Sequence, residues 1–209
     1  METTLLHSIS VKLANKLNKY GEHREGIEFT KLVLGIEIVL INITKLSCIF
    51  FFAIILGIVF ETVLVMIGFN VLRHYAFGAH AQSGIRCAIS STLMFVVVPY
   101  FINVFHYQVN NLILLPILIG VIASLYFYAP SDTEARPLLG KKNRARLRKR
   151  AIINGCILVA VILIMPNTEI KLMLSLGAVY EAISITPITY RILKKRRCNY
   201  EKYESAKQH

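Results

Sequence analysis

Long apolar stretches alternate with basic segments along this chain, and this pattern constrains the fold more than any other feature. A helix needs about 20 mostly apolar residues to cross a bilayer. The chain is 55% hydrophobic over 209 residues, which is more apolar material than a soluble domain of that size usually buries. We therefore predict an all-α, polytopic membrane protein with about six transmembrane helices. The stretches are residues 35–60, 62–72, 87–105, 112–128, 151–165 and 170–190.

The number of spans has open alternatives. The second and fifth stretches are short, so they must borrow flanking residues, tilt or lie in a thinned bilayer. Five or seven spans are therefore alternatives to six. No linker-like tract rich in proline, serine or glycine divides the chain. We expect one integral membrane domain over residues 1–209.

The two ends of the chain differ from its apolar interior. Residues 3–20 place leucine and isoleucine at helical spacing with lysines on the other faces, which predicts an amphipathic helix. Such a helix suits the interface of an anionic leaflet, or else it packs as an ordinary helix on the rest of the protein. We assign 1–31 as an amphipathic cytoplasmic segment and 191–209 as a basic cytoplasmic tail.

Lys and Arg are concentrated in every second segment between the predicted spans and are nearly missing from the others. All but Lys45 and Lys171 of the 24 Lys and Arg fall before the first span, between the second and third, in 129–150, or in the tail. Cytoplasmic segments of membrane proteins are enriched in Lys and Arg. The bias predicts a multi-pass protein of a bacterial cell membrane with both termini in the cytoplasm. The basic surfaces should meet anionic phospholipid, and we expect no nucleic-acid partner.

Polar, small and titratable residues interrupt the apolar pattern between the second and third spans. His80 and Cys87 lie seven positions apart there. On one straight helix they would stand about 10.5 Å apart along the axis, too far for a hydrogen bond. A bend through Gly78 and residues 82–84 would bring them together. Cys87 would then start a helix, where free backbone N–H groups favour a thiolate and can form an oxyanion hole.

A cysteine beside an imidazole is the usual arrangement of a thiol nucleophile and its base. Arg73 and Arg86 would favour the thiolate further. The group that orients the imidazole is not evident from the sequence. Glu37 in the first span and Gln82 are candidates, although Glu37 could instead pair with Lys45 or another polar group. We count these residues and Gly78 as candidate orienting or oxyanion-supporting groups.

The residue types alone leave several interpretations open. Cys87 could be a packed thiol and His80 an interfacial anchor. A metal site formed by His74, His80 and Cys87 lacks close ligand spacing, so we expect no metal and no other cofactor. A non-enzymatic small transporter or scaffold, in which His80 and Cys87 line a pathway, is the main functional alternative. A transporter would be expected to carry more charged residues inside its membrane spans than the three found here, Glu37, Lys45 and Glu181.

Two stretches carry a family resemblance. The motif R-x-x-x-x-G-x-H-x-x-x-x-x-x-C, formed by Arg73, Gly78, His80 and Cys87, resembles the core of the accessory gene regulator protein B (AgrB) family. Residues 128–138 resemble that family's Ala-Pro…Lys/Arg-Pro element, and a basic cluster follows as in the family. The resemblance covers almost the whole chain.

The resemblance implies a membrane cysteine endopeptidase, with Cys87 as nucleophile and His80 as base. Its substrate would be an AgrD-like propeptide, cut on the cytoplasmic side through an acyl-enzyme thioester. The product would be a cyclic autoinducing peptide for quorum sensing, usually a thiolactone. The resemblance also implies a homodimer.

The basic block that follows the second element has two interpretations. Lys141, Lys142 and Arg144 could be topology determinants bound to anionic lipid. They could also bind the substrate, because precursors in the resembling family carry acidic C-terminal segments. The two roles are compatible. A third functional class, a docking protein for a soluble partner, would use the same basic face but leaves the His/Gly/Cys motif unexplained.

Overall fold

The computed structural model describes residues 2–20, 25–78, 84–107, 109–133 and 137–205. Regular structure in those residues is helical, apart from isolated bridge residues such as Phe77, which pairs with Ser131. The all-α prediction is therefore confirmed. The helices are α1 (Glu2–Tyr20), α2 (Ile27–Ile55), α3 (Val59–Ala76), α4 (Gly84–Thr92), α5 (Val98–Val104), α6 (Asn111–Tyr128), α7 (Lys141–Ile164), α8 (Thr168–Ser184), α9 (Pro187–Ile192) and α10 (Tyr200–Ser205).

Three helical segments of the described chain are long and apolar enough to cross a membrane. They are Ile27–Ile55, Cys87–Val104 and Asn111–Tyr128. Many of their large side chains are exposed, and Leu112 on α6, for example, is 81% exposed. A helix with an exposed apolar surface is stable when lipid replaces water around it. The chain is therefore a membrane protein, and the total of six spans stays a prediction.

The ends of two predicted spans are corrected by the structure. The first was placed over 35–60, but α2 ends at Ile55, and Gly57 turns the chain with a φ of 68° that glycine adopts without steric cost. The last was placed over 170–190, but α8 ends at Ser184 and α9 begins at Pro187. Proline disfavours helical backbone at the residue before it, so a single helix does not run through this region.

The third span contains an irregularity that the hydropathy pattern did not predict. A π-helical turn, Leu93–Val97, lies between α4 and α5. Pro99 follows it at the start of α5. Because proline has no backbone N–H and its ring crowds the carbonyl four residues earlier, a widened turn is a common way to accommodate it inside a helix.

The contacts divide the chain into two compact units. The first comprises Met1–Gly57 and Ala81–Leu93, and the second comprises Ile58–His80 and Met94–His209. In the first unit α1 and α4 pack on α2. Ser10 and Ala14 of α1 are buried, whereas Leu17 is 56% exposed. An accessible apolar face on α1 is what a helix in a membrane interface requires. The expectation of one integral membrane domain stays a prediction.

The second unit is organised by close packing of α3 against α8. Gly68 lies against the Leu174 carbonyl, and Gly177 lies against the Val65 carbonyl, so a Cβ at either glycine would overlap backbone. Small residues at facing positions let two membrane helices approach closely. This approach brings the end of α3, which leads to His80, against the end of α8.

Candidate functional site

The predicted nucleophile lies in the first turn of a helix. Cys87 is the fourth residue of α4, and its side chain is half-buried. The first four N–H groups of a helix have no partner within it, so the backbone at Cys87 can stabilise an oxyanion. Arg86 precedes Cys87 on the same turn. The position of Cys87 agrees with the expectation that it starts a helix.

The predicted base lies outside the described residues. His80 and Gln82 fall within 79–83, between the end of α3 and the start of α4. Phe77, with a φ of 62° and a ψ of −130°, ends α3 before His80 is reached. Helix α3 therefore does not run on into α4. The hydrogen bond between His80 and Cys87 stays a prediction.

A buried polar cluster lies at the end of α3, and we call it the Arg73 cluster: Arg73, Gly78, Glu181 and Ser184. Arg73 Nη1 donates to Glu181 Oε2 at 3.0 Å and to Ser184 Oγ at 3.3 Å. Arg73 Nη2 lies 3.4 Å from the Gly78 carbonyl oxygen. Ser184 Oγ donates to Glu181 Oε2 at 2.9 Å. The cluster therefore ties α8 to the backbone two residues before His80.

The charges of the Arg73 cluster are almost fully removed from solvent. The side chains of Arg73 and Glu181 are 14% and 0% exposed. A buried charge that loses its partner costs about 3–5 kcal/mol, so each residue depends strongly on the other. Glu181 Oε1 has no hydrogen-bond partner among the described residues. Phe69 packs under the guanidinium, whose carbon lies 5.1 Å from the ring centroid.

Gly78 occupies a position that admits no side chain. Its φ is 120°, and a Cβ there would lie 2.6 Å from Ser184 Oγ and 3.2 Å from Arg73 Nη1. The Gly78 N–H donates to the Ser131 carbonyl oxygen at 3.0 Å. Glycine is needed here both for its backbone conformation and for the close approach of the Arg73 cluster. This explains in physical terms why the motif has a glycine before His80.

The second family-like stretch packs directly on the first. Ser131 N–H donates to the Ala76 carbonyl oxygen at 2.9 Å, and Ser131 Oγ lies 3.0 Å from the Ile185 carbonyl oxygen. The preceding Ala129–Pro130 peptide bond is cis. Ser131 thus joins the ends of α3 and α8 through one short loop. The sequence analysis described the segment after Arg73 and the loop containing Ser131 as separate motifs, and the structure places them in contact.

Two arginines support the same loop from outside. Arg148 Nε donates to the Ala129 carbonyl oxygen at 2.7 Å, and Arg197 Nη2 donates to the Tyr128 carbonyl oxygen at 3.1 Å. These carbonyls lie at the end of α6, where helical carbonyl groups lack partners. Cations are favourable at that end of a helix. Part of the basic surface therefore serves the structure of the loop.

The remaining predicted residues lie elsewhere. Glu37 Oε2 is 3.5 Å from His7 Nδ1 within the first unit, so its partner is a polar group on α1. Lys141 and Lys142 are exposed at the start of α7. Arg144 is paired with Glu204 of the tail. The basic block that the sequence placed in a connection is thus the first part of helix α7.

Sequence reasoning assigned no role to Glu181 and Glu204. Glu181 gave one signal, a carboxylate inside an apolar stretch, which is costly and so marks a candidate functional group. Its partner Arg73 is 108 positions away, and no local pattern connects them. Glu204 gave no signal, because an acidic residue in a charged tail is common.

In the part of the chain that the structure describes, the fold and the site define a helical membrane protein with a cysteine at a helix start and a braced loop at the end of α3. The model of the family described as Accessory gene regulator B matches residues 8–185. The chain belongs to this AgrB family.

Relatives extend over nearly the whole chain. It is 41% identical over 203 residues to an AgrB-like protein of Clostridium acetobutylicum, covering 97% of this chain and 96% of the relative. It is 36% identical over 200 residues to an AgrB-like protein of Listeria monocytogenes, covering 94% and 96%. It is 29% identical over 183 residues to accessory gene regulator protein B of Staphylococcus aureus, covering 84% and 95%. No solved structure matches the chain.

Proposed function

We propose that this chain is a membrane cysteine endopeptidase of an agr quorum-sensing system. The enzyme is a multi-pass protein of the cell membrane with both termini in the cytoplasm. It cleaves the C-terminal part from an AgrD-like propeptide on the cytoplasmic side of that membrane. The observation that carries the proposal is the bracing of the Gly78 backbone, two residues before His80, by Arg73 and Ser131. A preorganised nucleophile and base require that the segment leading to the base is held in a fixed position, and the nucleophile gains from a place at a helix start.

The chemistry begins with proton transfer from the Cys87 thiol to the His80 imidazole. Cys87 Sγ then attacks the scissile carbonyl carbon of the propeptide. Backbone N–H groups in the first turn of α4 stabilise the oxyanion that forms. The intermediate collapses, His80 returns the proton to the leaving amine, and the C-terminal peptide departs. An acyl-enzyme thioester on Cys87 remains.

The thioester then passes to a group within the bound propeptide. Attack by a cysteine thiol exchanges one thioester for another and closes a thiolactone ring, while attack by a hydroxyl gives a lactone. Each exchange releases the Cys87 thiol. A site close to lipid contains little water, which slows competing hydrolysis of the thioester.

The Arg73 cluster has a positioning role in this proposal. Arg73 and Glu181 act through the backbone in this proposal and take no part in bond making or breaking. They fix the Gly78 carbonyl and the end of α3, and so limit the positions open to His80. Gln82, Arg86 and Glu37 are retained as candidate orienting groups for the imidazole or oxyanion.

Binding partners complete the proposal. Lys141, Lys142 and Arg144 receive the acidic end of the propeptide and, together with the other basic residues of α7, contact anionic lipid. The enzyme acts as a homodimer. It needs no metal and no cofactor for the steps above, because the thiol, the imidazole and the backbone supply every group involved.

Coexpression with the candidate propeptide tests the proposal. Cys87→Ala and His80→Ala should abolish cleavage, while the same change at another cysteine and another histidine, Cys156→Ala and His106→Ala, should leave it intact. All variants must reach the membrane in equal amounts, as measured by immunoblot. Cleavage that persists in Cys87→Ala would overturn the endopeptidase proposal and favour the non-enzymatic alternative.

A further inference from the structure

The C-terminal helix places a carboxylate on the basic start of α7. Glu204 Oε1 accepts hydrogen bonds from Arg144 Nη1 at 2.6 Å and from the Gly140 N–H at 2.8 Å. Glu204 Oε2 accepts from Arg144 Nη2 at 3.2 Å. Gly140 is the residue that precedes α7, so its N–H is one of the free donors of the helix start. Three donors converge on one carboxylate.

The Arg144 side chain has contacts other than Glu204 that hold its position. Arg144 Nη1 also donates to the Leu138 carbonyl oxygen at 2.9 Å, and its guanidinium lies 3.7 Å from the centroid of the Tyr200 ring. Tyr200 N–H in turn donates to Asp132 Oδ2 at 3.0 Å. The Arg144 fork is therefore held in a carboxylate-binding orientation, which suits bidentate recognition.

Space and charge extend from this site. A cavity of about 250 Å³ adjoins it, and its basic lining residues are Lys141, Arg144, Arg148 and Arg197. Asp132 also lines the cavity, so Asp132 and Glu204 together leave two of the four cations without a compensating charge. The surroundings therefore favour a ligand with several negative charges over one isolated carboxylate.

The present occupant is held weakly enough to exchange. Helix α10 spans six residues, Tyr200–Ser205, and helices of that length are marginal on their own in water. The Glu204 side chain is 33% exposed, so a competing ligand can reach the site from solvent. Glu204 is thus bound by a specific site on a short helix, from which a competing ligand can displace it.

We infer that the site formed by the Gly140 N–H and Arg144 is a receptor for the acidic side chains of a bound peptide, and that Glu204 fills it as a self-ligand until the peptide displaces it. The inference rests on the proposed function for the identity of that peptide, the propeptide. It adds that helix α10 competes with substrate. The tail therefore weakens the binding of any acidic peptide. The apparent dissociation constant rises with the fraction of molecules in which Glu204 occupies the site.

Binding of a labelled acidic peptide tests this inference without any cleavage step. The full chain in nanodiscs of zwitterionic lipid is titrated with a ten-residue peptide of glutamate and alanine, and fluorescence anisotropy reports binding. Glu204→Gln should tighten binding about three- to tenfold. Glu201→Gln, the same change on the same helix, should bind like the wild type. Arg144→Gln should abolish binding, as should replacement of the peptide's glutamates by glutamines.

Equal or weaker binding by Glu204→Gln than by Glu201→Gln would overturn the inference, and so would unchanged binding by Arg144→Gln. If Glu204→Gln does not accumulate, Glu204→Ala serves as the second variant with the same expected direction, because it leaves Tyr200 against Arg144. The outcome is independent of catalysis. Cleavage by the wild type without a tail effect overturns only this inference, whereas a tail effect in a chain that never cleaves overturns only the proposed function.

Discussion

Arg73 and Glu181 form a buried ion pair between α3 and α8, with Nη1 and Oε2 separated by 3.0 Å and the glutamate side chain fully buried. The pair joins residues that are 108 positions apart. Arg73 lies five residues after Gly68, and Glu181 lies four residues after Gly177; at both glycines the backbones of the two helices are in close contact. Helix packing thus places a charged contact at the point where the chain leaves α3 toward His80.

Removing one partner of this pair should reduce catalysis more than substrate binding. We expect Glu181→Gln to lower kcat for propeptide cleavage about 10- to 100-fold with little change in KM, because the segment before His80 loses its anchor. Glu169→Gln, an exposed glutamate on the same helix, is the matched control.

The double variant Arg73→Glu with Glu181→Arg distinguishes positioning from a loss of charge. Reversing both charges should recover part of the activity lost in either single variant. The measurement is steady-state cleavage in proteoliposomes, with thermal unfolding of each variant measured alongside. A KM increase with unchanged kcat in Glu181→Gln would contradict the positioning role.

Gly78→Ala should disrupt the same site from the backbone. A Cβ would overlap Ser184 Oγ, and the φ of 120° is unfavourable for alanine. Backbone strain of this kind costs about 1–3 kcal/mol, and relief of the strain would move the chain near His80. We expect at least a tenfold loss of cleavage. Gly35→Ala in α2, where nothing lies within 4 Å of the new Cβ, should be neutral, and an equal loss in both variants would contradict this account.

Neutralising Lys141, Lys142 and Arg144 together should weaken propeptide cleavage with membrane insertion unchanged. The physical reason is loss of charge attraction for an acidic segment. The effect should appear at subsaturating propeptide and diminish at saturation. The control is Arg146→Gln with Lys149→Gln, two exposed cations of the same helix. Unaltered cleavage at subsaturating propeptide would remove the docking role.

The tail contact should depend on pH in a defined direction. The hydrogen bond from Arg144, with help from the Gly140 N–H, lowers the pKa of Glu204 from its usual 4.5. A lowered pKa means that docking favours the charged carboxylate. The contribution of the Glu204 charge to docking is therefore fully present above pH 4.5, and it is lost as the pH falls through the lowered pKa.

Carbon-13 NMR of the glutamate carboxyl groups checks the titration of the tail. The Glu204 resonance should titrate below that of an unperturbed glutamate in the wild type, and should move up to the ordinary value in Arg144→Gln. A Glu204 carboxyl that titrates identically in both proteins would show that Arg144 does not bind it in solution.

Sequence periodicity predicted the helices well but not their breaks. Helix α1 and the apolar spans follow from side-chain spacing and hydropathy, which are local properties. The turn at Gly57 and the break before Pro187 depend on single residues whose effect is decided by neighbouring packing. The π-helical turn before Pro99 leaves no hydropathy signal at all.

In the candidate site, too, local sequence predicted some features, whereas others depend on packing. Residue types and spacing predicted Cys87, His80, Arg73 and Gly78 as candidates, and the resemblance supplied the roles of nucleophile for Cys87 and base for His80. The role of Glu181 could not be predicted, because its contact with Arg73 requires the α3 and α8 packing that only the folded chain provides. Glu37 was one candidate for orienting the imidazole, and its contact with His7 now gives it a structural partner.

The most direct test of the central claim is to trap the acyl-enzyme. The purified protein is mixed with its propeptide, quenched in acid, and examined by intact mass spectrometry and peptide mapping. We predict an adduct equal in mass to the N-terminal part of the propeptide, attached at Cys87, removed by hydroxylamine and missing in Cys87→Ala. An adduct on Cys48, Cys156 or Cys198 instead, or cleavage by Cys87→Ala with no adduct, would contradict the account.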